Sequence, residues 1–171
     1  MRRTSLFLLL ALAGCAGPTA RLESLACQRL ELAPQVAWTK YTQNMAIHDP
    51  AREASALHEM TRRGSALGVP PETTRHFFMA QMEASRRLQR EWILAWRKGH
   101  VASLGPARSL ENDLRPRIDA IGARQIRALA HGARPPTSDQ LVDLGARFLP
   151  KNSLSTPAHS SPSTPAVTSH R

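Results

Sequence analysis

The 171-residue sequence predicts an all-α protein, and three observations carry that reading. Apolar residues recur at spacings of three and four through most of the middle of the chain, the period of a helix buried on one side. Residues that start and stop helices bracket these stretches: Asp49-Pro50 and Pro70-Pro71-Glu72 open two of them, and Gly68 and Gly99 close them. No alternating apolar pattern is long enough to build a strand. Together they predict about four main helices in one domain.

The first helix is expected over roughly 19 to 44, where Leu22, Leu25, Ala26, Arg29, Leu32, Ala33, Val36 and Lys40 form one stripe. Asp49 is placed to cap a second, shorter helix that has Pro50 at its first position and runs to about Gly68. The third and longest carries the stripe Phe78, Met82, Ser85, Gln89, Trp92 and Trp96 and stops at Gly99. Beyond Gly105-Pro106 a fourth starts near Asn112 or Asp113 and runs to about His131, with Leu114, Ile118, Ile121, Gln125 and Leu129 inward. A short amphipathic piece with Leu141, Leu144 and Phe148 follows Pro135-Pro136.

These elements divide the chain into a leader over 1–20, a helical domain over 21–133, an amphipathic extension over 134–150 and a tail over 151–171. The leader has the layout of a secretory signal: Arg2 and Arg3, then an apolar run from Leu6 to Ala13 too short to span a bilayer, then small residues. Its processing has two open readings. Leu12-Ala13-Gly14-Cys15 matches a bacterial lipobox, which would make Cys15 the acylated first residue; otherwise an ordinary signal peptidase cuts after Ala16 or Ala20. On either reading Cys27 has no intrachain disulfide partner and is read as a small packing residue. In the tail, twelve of the twenty residues from Asn152 to Arg171 are Ser, Thr or Pro, a composition that cannot bury a core and is expected to be disordered.

The formal charge is +10; leaving out Arg2, Arg3, Lys151 and Arg171 leaves +6 on the segment between them. Such an excess fits nucleic acid, an anionic membrane surface or an acidic small molecule. Export and the scarcity of aromatic residues to interleave with the cations argue against nucleic acid.

Within the stripes, four polar residues interrupt the apolar faces: Arg29, Lys40, Ser85 and Gln89. A buried charge or amide costs several kcal/mol, of order 2–7 for a neutral group, unless something satisfies it. Arg29 and Lys40 are eleven residues apart, about 20° from three full turns, so they project from one face roughly 16 Å apart. Ser85 and Gln89 are neighbours at i, i+4. Taken singly, each is more often a snorkelling cation or a side chain bonded to backbone. Jointly, and with Arg52 and Glu53 in the first turn of the next helix, they suit a small dianionic ligand. Other chemistry lacks its residues. His58-Glu59 begins like a zinc-protease helix, but Arg62 stands where the second histidine belongs; the seven histidines are scattered, and no metal site is expected. No nucleophile signature is present.

The stretches Ala26-Cys27-Gln28-Arg29-Leu30-Glu31-Leu32-Ala33, Val36 to Lys40, Ile47-His48-Asp49-Pro50-Ala51-Arg52-Glu53, Phe77 to Ser85 and Leu114-Arg115-Pro116-Arg117-Ile118-Asp119 resemble, in order and spacing, the exported gamma subclass of the AroQ-type chorismate mutases. The resemblance implies the family's helical fold and an isomerase of aromatic amino acid biosynthesis that converts chorismate to prephenate without a cofactor. It further implies a periplasmic or secreted location and a homodimer, with membrane contact only through a lipid on Cys15. Arg29, Arg52 and Arg115 would clamp carboxylates, Lys40 and Gln89 would face the ether oxygen, and Glu53 would meet the substrate hydroxyl. Ser85 would help hold a carboxylate, and Asp49 belongs with the substrate-binding set. Arg115 would replace an arginine that smaller members borrow from a partner subunit, so the site would lie within one protomer. Two departures stand out: some members have glutamate in place of Gln89, and some have a longer C-terminal region. The rival reading is a non-catalytic helical periplasmic lipoprotein that binds another small anion.

Overall fold

The computed structural model describes residues 17–151; the leader up to residue 16, with Cys15, and the tail from residue 152 lie outside the described residues. Six α-helices fill the described chain: α1 (Pro18–Glu31), α2 (Ala33–Thr42), α3 (Pro50–Ala66), α4 (Pro71–Arg97), α5 (Arg115–Ala130) and α6 (Ser138–Ala146). There is no strand among the described residues, in keeping with the all-α expectation. Nor is any described helix long and apolar enough to cross a membrane.

The helix expected over 19–44 is two helices, and the reason is Pro34. Proline lacks the N–H that would continue the ladder, and its ring crowds the carbonyl four residues earlier. The break falls at Leu32, whose N–H reaches back to Arg29 O in a tight turn before Pro34 takes an early position in α2. Residues 18–20, read with the leader, form the start of α1.

The other boundaries follow local chemistry. Asp49 caps α3 by accepting the Arg52 N–H at 3.1 Å. Thr137 and Gln140 form a capping box on α6, each side chain taking the other's backbone N–H. The expected fourth helix begins with a wide π-helical turn, Leu110–Leu114, in which the N–H groups of Leu114 and Arg115 bond five residues back to Ser109 O and Leu110 O. Pro116 accounts for it: without an N–H it cannot bond Asn112 O, and the turn opens there.

Helix α4 is the spine. Its apolar face meets α1, α3 and α5 around Leu22, Met60, Phe77, Phe78 and Ile126. Further along, Ala84 and Leu88 pack on Leu30 and on Leu141 of α6. Gly64 lets α3 lie close on α4, because a Cβ there would stand 2.4 Å from Thr74 Oγ1. At the far end Trp38, Tyr41, Trp92 and Trp96 cluster. Trp38 and Trp96 donate their indole N–H groups to Gly105 O and Ala102 O, and Thr39 donates to Arg108 O. These bonds pin the 98–109 loop and so position Arg115 at the start of α5.

Candidate active site

Five of the residues singled out in the sequence converge where α2, α3 and α5 begin or end. Lys40, in the last turn of α2, donates to Ile47 O at 2.6 Å, folding the 43–49 loop back over it. Burial holds its ammonium below the usual lysine value; Glu53 and Asp49 partly restore it, while the nearby Arg115 guanidinium lowers it further. Arg115 is depressed by burial first and then by the like charge of Arg52, against Asp49 and Asp119. Lys40, Asp49, Arg52, Glu53 and Arg115 therefore act on one another's charge across three helices. Arg52 is the most open of the cations, with its backbone rather than its side chain held by Asp49. Arg115 pairs with Glu111 one turn earlier.

Arg29 joins this group from α1. Its Nη1 donates to Ile118 O at 3.2 Å and its guanidinium lies 5.9 Å above the Phe78 ring. Burial lowers its pKa to about 10, with Asp119 offsetting part of the shift, so at neutral pH it remains cationic. Asp119 also acts on Arg115, linking the two arginines through one carboxylate. Most of Arg29's N–H groups, and all but one on Lys40, have no acceptor among the described residues. Desolvated cations with unused donors are poised for an external anion.

On α4, Gln89 is buried and donates its Nε2 to Ser85 Oγ at 3.1 Å. Its Oε1 is buried without a partner. Because the serine hydroxyl can donate as readily as accept, a half-turn of the amide keeps the pair bonded and presents an N–H instead. The stripe places Gln89 on the same α4 face as Phe78, the ring beneath Arg29, and three turns further along the helix. No hydrogen bond joins Gln89 directly to Lys40 or an arginine among the described residues.

One residue of the site escapes the stripe. Arg86 reaches across from α4 to Glu53, and also to Glu83 and His48 Nδ1. Burial pulls it down, but the Glu83 and Glu53 carboxylates outweigh that and hold it above the ordinary arginine value. Glu53, which also meets His48 Nδ1 at 3.3 Å, is thus held from two sides. The available signal was its position beside Ser85, about 80° round the helix from the Phe78 line, on the flank of the same face.

Comparison with known proteins matches residues 20–90 to the family model described as chorismate mutase type II. A chorismate mutase structure from Burkholderia thailandensis is 36% identical, with a TM-score of 0.65 over 77% of this chain and 85% of that one. The chain belongs to the chorismate mutase family. A chorismate mutase from Burkholderia phymatum is 27% identical over 67% of this chain and 70% of that chain, with a TM-score of 0.63. A secreted chorismate mutase of Mycolicibacterium smegmatis is 27% identical over 120 residues, 70% of this chain and 66% of the relative, just under two thirds of its length. At 18% identity, a secreted chorismate mutase from Yersinia pestis shares the fold, with a TM-score of 0.62 over 75% of this chain and 94% of that one. The family match covers α1 to most of α4, so it contains Arg29, Lys40, Arg52, Glu53, Ser85 and Gln89, while Arg115 lies beyond it.

Proposed function

We propose that this chorismate mutase family member converts chorismate to prephenate at the cluster of Arg29, Lys40, Arg52, Glu53, Ser85, Gln89 and Arg115, after export from the cytoplasm. The observation that carries the proposal is the pair of desolvated cations, Arg29 and Lys40, each with donors unused by the protein. Chorismate carries two carboxylates. The reaction is an intramolecular [3,3] rearrangement in which a C–O bond breaks as a C–C bond forms, so the protein must hold the compact conformer and stabilise negative charge growing on the ether oxygen.

Arg29, Arg52 and Arg115 perform the first task, since planar guanidinium groups fix the direction of a carboxylate as well as binding it. Ser85 adds a hydroxyl donor, and Asp49 sets Arg52 by capping the turn that carries it. Lys40 and the Gln89 amide serve the second task, where preorganised donors count for more than in water. Glu53, held by Arg86, accepts from the substrate hydroxyl.

The secreted relatives and the leader support export to the periplasm or beyond. Lipid attachment at Cys15 and a homodimer belong to the proposal, the former read by mass of the exported protein and the latter by light scattering. Catalysis is tested by the loss of chorismate ultraviolet absorbance with the purified protein and its Arg29→Ala variant. Rapid loss with the first and at least a hundredfold less kcat/KM with the second is expected, at unchanged helical circular dichroism. A folded protein that leaves chorismate at its spontaneous rate favours instead a module that binds another small anion.

A further inference from the structure

At the end of the bundle away from the cluster, where α1 starts and α5 stops, lies a cavity of about 300 Å³ lined by Pro18, Arg21, Arg124, Arg127, Ala128 and His131. The Arg21, Arg124 and Arg127 side chains have no hydrogen-bond or ion-pair partner among the described residues; other arginines, Arg87 and Arg97 among them, share that lack, but these three line one cavity with no carboxylate in its wall. Arg134 is brought to the same end, its backbone N–H donating to Thr19 Oγ1 at 3.1 Å. The nearest acidic residue of α1, Glu23, opens on a different cavity with Gln140 and Asp143.

Helix stability explains only part of this clustering. Arg127 in the last turn of α5 suits the negative end of that helix. Arg21, in contrast, closes the first turn of α1, where a cation opposes the helix dipole and no acidic residue is present to offset it. The positive end of α1 and the arginines therefore add their fields on one surface.

We propose that this surface docks on anionic phospholipid headgroups, seating the protein with the α1 start toward the bilayer. The chain itself points there: Cys15 precedes Pro18 by three residues, so whatever path the chain takes, the attachment point of a lipid on Cys15 would lie within about 11 Å of Pro18 at the cavity rim. One acyl anchor gains most from a basic patch beside it, and each cation near an anionic leaflet tightens binding about fivefold. The cluster on α2, α3 and α5 would then face away from the membrane, open to soluble substrate.

The test is flotation of the protein begun at residue 17, so that neither the apolar leader nor an acyl group is present, with vesicles of phosphatidylglycerol and phosphatidylcholine, against phosphatidylcholine alone. This unacylated protein should bind the anionic vesicles only, and less as salt rises. Arg124→Gln/Arg127→Gln should weaken that binding about twenty-five-fold, and Arg124→Glu/Arg127→Glu more, while chorismate turnover stays unchanged. Equal binding to both vesicles would overturn the proposal, as would anionic binding that survives both double substitutions. Inorganic phosphate bound at the cavity with no vesicle bound at all would also overturn it, assigning the arginines to a free anion.

Discussion

Two buried glutamines on the same helix, each paired with one other side chain, have opposite relations to their surroundings. Gln81 is fully buried and accepts from Gln125 Nε2 of α5 at 3.2 Å, Gln125 being fully buried as well. Two turns later Gln89, also buried, bonds only to Ser85 on its own helix, and it belongs to the set proposed to bind chorismate with Arg29 and Lys40. Each pair leaves polar atoms unsatisfied: Gln81 Nε2 and Gln125 Oε1 in the first, Gln89 Oε1 in the second. The first pair ties two helices together, and its unused atoms have no route to a partner outside the protein. The second is local, and its unused atom belongs to a residue of the surface proposed to take chorismate. A buried amide thus signals a site when its neighbours are also waiting for a partner.

Removing a cation from that surface should have the largest effect. Lys40→Ala is expected to cost about 3 kcal/mol or more of transition-state stabilisation, roughly two orders of magnitude in kcat/KM, with little change in melting temperature. Wild-type kcat/KM should fall on the alkaline side earlier than an ordinary lysine would dictate, because the ammonium is held below its usual value and its charge is lost as pH rises through the lowered pKa. Lys40→Arg should move that limb upward if the variant retains activity. A flat alkaline profile in the wild type would detach Lys40 from the chemistry.

Gln89→Glu sharpens the comparison by pH. A carboxyl at this buried position replaces the amide donor only while protonated; burial raises its pKa, and the neighbouring cations oppose that rise. Activity should therefore be retained at acidic pH and fall as pH climbs through that pKa, by up to about tenfold per unit. The wild type, with an amide that does not titrate, should stay level over the same range. Parallel profiles for the two proteins would show that Gln89 faces no developing charge.

Arg86→Ala should be milder, raising KM for chorismate about tenfold and leaving kcat within a few-fold, because Glu53 keeps its position through His48 but loses its stronger partner. Arg86→Lys should recover part of the loss. If Arg86→Ala lowered only thermal stability, the bridge to Glu53 would be a helix tie and nothing more.

The sequence made the stripes legible because one-sided burial leaves a period in the residue types: Arg29, Lys40, Ser85 and Gln89 were visible as violations of it. It made the Asp49 cap legible as well, since that cap acts on a residue three along the chain; the Thr137–Gln140 capping box has the same spacing but did not enter the reading of the extension. It marked Arg86 only by a place on the flank of the α4 stripe, too weak a signal beside exposed Arg87, so the residue reads as part of a solvated face until α3 brings Glu53 against it. The break at Leu32 was obscured by a stripe that runs through it unbroken, although Pro34 supplied the local signal. The π-helical turn before Arg115 depends on Pro116 and on the loop pinned by the tryptophans, a condition set by tertiary contact rather than by period.

Gln81 and Gln125 show the same limit from the other side, for Gln125 occupies an inner stripe of α5 just as Gln89 does in α4, and nothing local tells them apart. The smallest effect on catalysis should come from Gln125→Leu. Removing one amide strands the other, fully buried, without its partner, costing about 1–3 kcal/mol of stability, whereas Gln81→Leu/Gln125→Leu removes both partners and should come back close to the wild-type melting temperature. In both proteins kcat/KM for chorismate should match the wild type at temperatures well below melting. A loss of kcat/KM in the stable double variant would mean that the α4–α5 amide pair sets the position of the active-site end of α4, and the separation between a structural and a catalytic glutamine would fail.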